Sequence, residues 1–346
     1  MHIWAYRSLL DALPERPWLV RHNPPALEKS LLHQVIWQLL RLPGEVARAG
    51  CDIMLNTDAG ALSRVSPSVT MSRDMLSYEP GEIERYGWSK ARLRLLLLRY
   101  IQNRSLRRSE GAVFLTRHAA EVIQRSCGHL RNVALIPHGV GREFSAISDR
   151  PEWPADGRSI RCLYVSNAAP YKHQWMVVEA IEILRREGYD VQLELVGGGS
   201  GKAQARLDAQ IALSDPAGRF VSQVGAVPQA ALPNYLKAAD LFIFASSCEN
   251  MPNTLIEAMT AALPIACARR GPMPEVLEDG GVYFDPEKPE SIAMAVGSLI
   301  DDPALRSRVA KRAKELSSQY SWARCARETW SFLTQTHRAI GEPTNA

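Results

Sequence analysis

The stretch DLFIFASSCENMPNTLIEAMTAALPIACARRGPMPEVLEDGGVYFDP (240–286) decides the fold. It opens with an apolar run, Leu241–Ala245, passes through a polar loop, and turns at Pro252 into a segment whose apolar positions Leu255, Ile256 and Met259 have helical spacing. Asn253 and Thr254 are suited to cap that helix. Two further strand-like runs follow, at 264–268 and 282–284. Strand, helix and strand in quick succession imply α/β layering on a parallel sheet. The amides near Asn253–Ile256 should then stand free at a helix N-terminus, just beyond the carboxyl end of a strand. Open parallel sheets bind ligands there, and free amides with the helix dipole favour an anion such as a diphosphate. Glu249 lies in the loop before this helix and Glu257 about one turn inside it. A pair of Glu eight residues apart is uninformative alone, and no metal-binding triad accompanies it.

The same alternation extends outward. Strands are predicted at 161–165, 191–196 and 220–224, with helices near 173–187, 202–213, 231–238, 253–262, 290–300 and 303–317. In the first half, strands are predicted at Trp18–His22, Asp52–Asn56, Ser68–Met71 and Ala112–Leu115, and VALIPHGV (133–140) reads as strand, proline and turn. The predicted organisation is an N-terminal domain over 1–140, a linker over 141–157 holding Pro151 and Pro154, a second domain over 158–320, and a C-terminal helix over 321–346 that packs back towards the first domain. No internal repeat or low-complexity tract is evident.

The 346 residues are 46% hydrophobic and 23% charged, with 22 Gly and 22 Pro, which excludes collagen-like and disordered chains. Apolar runs are far shorter than the roughly 20 residues of a membrane span. Asp11 and the absence of a long apolar core argue against a secretory signal at the start. Six scattered Cys with no CxxC read as reduced thiols in a cytoplasmic protein. Residues 1–140 carry 19 Lys and Arg against 12 Asp and Glu, whereas 141–346 carry 22 against 25. The basic half is expected to face something anionic, a phosphate-bearing acceptor or a membrane surface.

The block 240–286 closely resembles the signature of family-4 retaining glycosyltransferases, enzymes of the GT-B fold. Further segments are similar in order: FLTRHAAEVI (114–123), IPHGVGREF (136–144), YVSNAAPYKHQWMVVEAIEIL (164–184) and LELVGGGSG (193–201). The resemblance covers nearly all of 110–335. It implies two Rossmann-like parallel-sheet domains facing a cleft, the second binding a nucleotide-sugar, with no cofactor and no metal. It assigns Glu249 to the donor sugar's hydroxyls and Glu257 to the nucleotide ribose. Asn250, Met251, Pro252, Asn253, Thr254 and Leu255 correspond to the donor-binding loop and helix start, and Lys172 to a pyrophosphate lysine acting with Glu249 in catalysis. Asn167 and Gly198 fall in the flanking donor loops. The family usually has Gly-Arg where this sequence has Ser166-Asn167, so one of two pyrophosphate cations is absent unless Arg269, Arg270 or an arginine of the first domain replaces it. Ala262 stands where the family has a helix-ending Gly. Family members open with a strand and a Gly-rich loop; here the first Gly is Gly44, so the N-terminal domain is expected to be shortened.

Acceptor recognition by this family lies in the N-terminal domain, where Asp58, Arg73 and Asp74 sit at or near predicted strand ends. His118 and His138 are expected to be structural or cleft-lining. The helix predicted at 89–109 carries Leu93, Leu97 and Ile101 on one stripe among seven basic residues. The plainer expectation packs that stripe on the sheet with its arginines in water; the alternative lays the helix on an anionic membrane. The partners implied are a nucleotide-sugar donor and a glycan or lipid-linked acceptor, with peripheral contact at the inner face of the cytoplasmic membrane and no nucleic acid. The leading function is hexose transfer in bacterial surface polysaccharide synthesis. A catalytically silent GT-B-like binding subunit and a related epimerase or phosphorylase remain open. A dinucleotide dehydrogenase does not fit, because GGGSG (197–201) lacks the GxGxxG spacing.

Overall fold

The computed structural model describes residues 1–145, 147, 153, 154 and 157–341. Part of the predicted linker, including Pro151, lies outside them. Among the described residues there are three parallel sheets. β1 (His2–Trp4) pairs with β2 (Val20–His22). β3 (Met54–Asn56), β4 (Ser68–Met71), β5 (Gly111–Phe114) and β6 (Val133–Leu135) form a four-stranded sheet in sequence order. The six-stranded sheet contains β7 (Ile160–Val165), β8 (Val191–Val196), β9 (Val221–Val224), β10 (Leu241–Phe244), β11 (Ile265–Ala268) and β12 (Val282–Phe284).

Its strand order, β9-β8-β7-β10-β11-β12, reverses direction between β7 and β10. Helices cover both faces of this sheet, so β10 and β11 are buried at every residue and read as unbroken apolar runs. Leu163, Leu193, Phe242 and Phe244 pack there with Val177, Ile181, Leu255 and Ile256 of the adjoining helices. Because the chain leaves β7 towards β8 on one side and β10 towards β11 on the other, the loops after these two strands part and leave a crevice.

The C-terminal helix Trp322–Gly341 returns to the first half of the chain, beside Gly111 of β5 and Asn132 just before β6. Asn132 Nδ2 donates to Thr336 Oγ1 at 2.9 Å, and the Phe332 ring comes so near Gly111 that a Cβ there would meet it at 3.0 Å. Gly139 in the crossing segment touches the start of this helix backbone to backbone; a Cβ would sit 2.0 Å from the Trp322 amide.

Three expectations are corrected. His2–Trp4 and the helices Arg7–Ala12, Leu31–Leu40 and Leu42–Arg48 form where no element was predicted. Helix Lys90–Arg108 buries Gln102 and Leu106 and turns Leu93 and Leu97 into solvent, the reverse of the expected packing. Helix Asn253–Thr260 begins one residue earlier than its predicted caps: Pro252 is its N-cap, and no side chain caps it.

Candidate active site

The crevice after β7 and β10 gathers the key charges. Lys172 ends the short turn Pro170–Lys172 after β7, and Glu249 lies in the loop after β10. Lys172 Nζ donates to Glu249 Oε1 at 2.5 Å, both side chains being largely buried. The ammonium also lies 5.2 Å from the Tyr171 ring centre and 5.9 Å from that of Phe244, so low-dielectric walls strengthen its field. Tyr164, fully buried in β7, donates its hydroxyl to the Lys172 carbonyl at 2.7 Å and fixes the turn. His173 then takes a left-handed conformation, φ 50°, which joins the turn to helix Gln174–Arg186. Its buried ring sits 2.9 Å from Ser247 Oγ, and burial pushes its pKa down to about 4, so it is neutral at ordinary pH.

Beyond Glu249, Asn250 is buried and its Oδ1 has no partner among the described residues. A buried orphan acceptor is costly unless a donor arrives, and a sugar hydroxyl is one. Met251, Pro252 and Leu255 are buried and hold the loop and the uncapped helix start in place, while Thr254 Oγ1 donates to the Val165 carbonyl at 3.5 Å. Burial, then the nearby Arg73 charge, lowers the pKa of His138, against an opposing influence of Asn253. Glu257 is buried on the same helix, and burial followed by repulsion from Glu143 pushes its pKa up to about 7.

The flanking loops are shaped by backbone contact. Gly197, at φ 118°, presses on the Ser166 carbonyl, which a Cβ would meet at 2.3 Å. Gly199 packs on Ala168, which a Cβ would meet at 2.7 Å, while Gly198 accepts a bond from the Ala168 amide at 3.4 Å. Gly197 and Gly199 are therefore the positions that demand glycine, not Gly198. Asn167 is exposed.

The other half of the chain reaches into this loop. Asn250 Nδ2 donates to the Asp74 carbonyl at 3.3 Å, and Thr116 Oγ1 donates to the Asn250 carbonyl at 3.0 Å. Ser247 Oγ donates to the buried Glu82 at 2.6 Å. Glu275 accepts the amides of Arg117 and His118 at 2.8 and 2.9 Å, capping helix Arg117–Cys127 from the opposite side. His118 itself pairs with Glu79 at 2.8 Å. Thr116, Glu82, Ser247 and Glu275 were not anticipated, because their value lies in contacts over more than a hundred residues of chain. Arg73 and Asp74 follow β4 and face this junction. Asp58 does not join them: its carboxylate accepts the Gly60 amide of its own loop at 2.6 Å. Arg270 pairs with Asp285 at 3.0 Å and Arg269 lies over Tyr283, so both are engaged elsewhere.

Residues 146–316 match the family described as glycosyl transferases, group 1. O-antigen chain mannosyltransferase B of Escherichia coli is 28% identical over 110 residues, 32% of this chain and 29% of that protein. Across its curated relatives the chain spans between 29% and 60% of their length. A sucrose-phosphate synthase structure from Thermosynechococcus elongatus superposes with a TM-score of 0.73 at 18% identity, covering 94% of this chain and 86% of that one. The Anabaena protein HepE in complex with UDP gives 0.67 at 18% identity, covering 92% and 85%. The shared fold is GT-B, and among the described residues no helix is long and apolar enough to cross a membrane.

Proposed function

The chain belongs to the group 1 glycosyltransferases, and from that premise we propose a family-4 retaining enzyme that moves a hexose from a nucleoside-diphosphate sugar to a glycan or lipid-linked acceptor. The Lys172–Glu249 pair, spanning the crevice where the strand order reverses, carries this reading. Asn253 and Ile256 spend their amides on the Met251 and Pro252 carbonyls, so an anionic diphosphate seats against the amides of Thr254 and Leu255 at the start of this helix and draws Lys172 to itself. Glu249, released from part of that pairing, accepts sugar hydroxyls, and Asn250 Oδ1 accepts another. Glu257 accepts the ribose hydroxyls. Arg73, beside His138 and Asn253, supplies the second cation that Asn167 cannot.

The bond from the anomeric carbon to the diphosphate oxygen breaks as the acceptor oxygen bonds on the same face, and the acceptor's proton passes to the departing diphosphate. Lys172 and Arg73 offset the charge that grows on that oxygen, where preorganised donors act most strongly. A metal is not part of this scheme. HepE's bound UDP and the O-antigen chain mannosyltransferase support a nucleotide-sugar donor and a role in bacterial surface polysaccharide synthesis.

The test is thermal stability of the whole chain with GDP, UDP, dTDP or ADP. At about 100 times its dissociation constant, one nucleotide should stabilise by roughly 2.7 kcal/mol, a rise of about 2–4 °C. The rise should vanish in Lys172→Ala. No rise with any of the four refutes the donor site. A rise without transfer from any sugar nucleotide would instead favour the silent binding subunit.

A further inference from the structure

Two helices of the N-terminal half bury little and expose much. Helix Leu31–Leu40 buries Trp37 and presents Leu32, Ile36 and Leu40, one stripe at i, i+4 and i+8, with Leu32 65% and Leu40 71% exposed. Helix Lys90–Arg108 presents Leu93, Leu97 and Tyr100 on the side away from Gln102 and Leu106, with Leu93 69% and Leu97 58% exposed. Trp88, just before it, is 98% exposed. Such an area of outward leucine is unusual on a soluble surface and marks an interaction site.

The two stripes converge. Leu39 and Ile101, each continuing its helix's apolar stripe, line one small pocket together with Arg64, Arg104 and Arg108. Helix Lys90–Arg108 contains no Asp or Glu. The acid closest in sequence, Glu110, accepts from Ser66 and Ser68 at 2.7 and 2.6 Å, and since both serines line the same pocket it is one carboxylate set against three arginines there. Leucines and aromatics thus form the centre of a surface whose margin is a cluster of arginines, three of them around a cavity able to take a phosphate oxygen.

We propose that this surface, Leu32–Leu40 with Trp88–Arg108, docks on an anionic lipid bilayer, its leucines entering the acyl boundary and Arg64, Arg104 and Arg108 holding a lipid phosphate. Charge selects the occupant. A second copy meeting this face about a two-fold axis would set arginine against arginine, whereas a bilayer bearing anionic headgroups complements both the apolar centre and the basic margin. The +7 balance of residues 1–140, from 19 basic and 12 acidic residues, adds long-range attraction of the same sign. The surface rests on the membrane-linked acceptor reading for its use in the cell, yet the two fail separately, because docking needs no donor.

The experiment is flotation of the whole chain with vesicles of phosphatidylcholine alone or with one-third phosphatidylglycerol. Binding should require the anionic lipid and weaken with salt. Arg104→Gln with Arg108→Gln should weaken it by roughly fivefold per arginine, and Leu93→Gln with Leu97→Gln by at least about tenfold. All four side chains project outward, so melting temperatures and nucleotide-induced shifts should match wild type, which separates lost docking from lost folding or a failed donor site. Equal binding to neutral vesicles, binding unchanged in both double variants, or a wild-type dimer in light scattering that the leucine variant dissolves would each overturn the proposal; the last would assign the face to a second copy.

Discussion

The two halves of this molecule use the same residues to opposite ends. Around the six-stranded sheet, Leu163, Leu193, Leu195 and Leu241 are shut away between helix layers. In the N-terminal half, Leu32, Leu40, Leu93 and Leu97 have equally regular spacing and stand in solvent. Helical or strand periodicity shows that a face is apolar; it does not say what covers that face. Both sheets bury their central strands, but helices Leu31–Leu40 and Lys90–Arg108 turn apolar faces outward where no further layer covers them.

The sharpest break of this contrast is a matched pair of truncations. Leu193→Ala should lower unfolding free energy by about 2–5 kcal/mol, while Leu97→Ala should stay within about 0.5 kcal/mol, both read from urea denaturation. Equal costs would mean that the outward leucines are covered in solution. Next in size, Lys172→Ala should lower kcat/KM by roughly 100- to 1,000-fold in a transfer assay; a loss under about tenfold would remove the lysine from the reaction centre.

Two buried titratable groups of the crevice give opposite pH signatures of similar size. Glu257, at about 7, keeps in the folded chain a proton that the unfolded chain gives up near 4.5, so its contribution to stability falls as pH rises between those values. His173, at about 4, refuses a proton that the unfolded chain takes up near 6.5, so its contribution falls as pH drops through that window. Glu257→Gln should gain on wild type by about 3 kcal/mol between pH 4 and pH 8, measured by denaturation at several pH values. A constant difference would mean that Glu257 is ionised throughout. The smallest effect concerns Ala262, held at φ 55° where its helix ends. Ala262→Gly should raise stability by about 0.5–1 kcal/mol, and a lower melting temperature would show that the methyl group packs well enough to offset the strain.

Legibility followed how local the cause was. Strands Ser68–Met71, Val191–Val196 and Val282–Phe284 and helix Pro303–Ser317 fall where their apolar pattern and turn residues put them. The helices Leu31–Leu40 and Leu42–Arg48 did not announce themselves, since their inner faces rest on a single Trp37 and a few neighbours. The Asn253 and Thr254 caps failed for a related reason: Pro252 already turns the chain, and the Thr254 hydroxyl is spent on the Val165 carbonyl of a neighbouring strand.

By itself, then, the sequence determined the parallel α/β architecture, the strand-loop-helix run of 240–260, and which charges flank it, because alternation, turn residues and apolar spacing act over a dozen residues. Only the tertiary structure decided that Lys172 meets Glu249, that Glu275 caps a helix more than 150 residues away, and that Leu93 and Leu97 face outward. Those outcomes depend on which strand lies beside which and on which helix face finds a partner. Strand order and layer coverage are properties of the packed whole, and no window of sequence contains them.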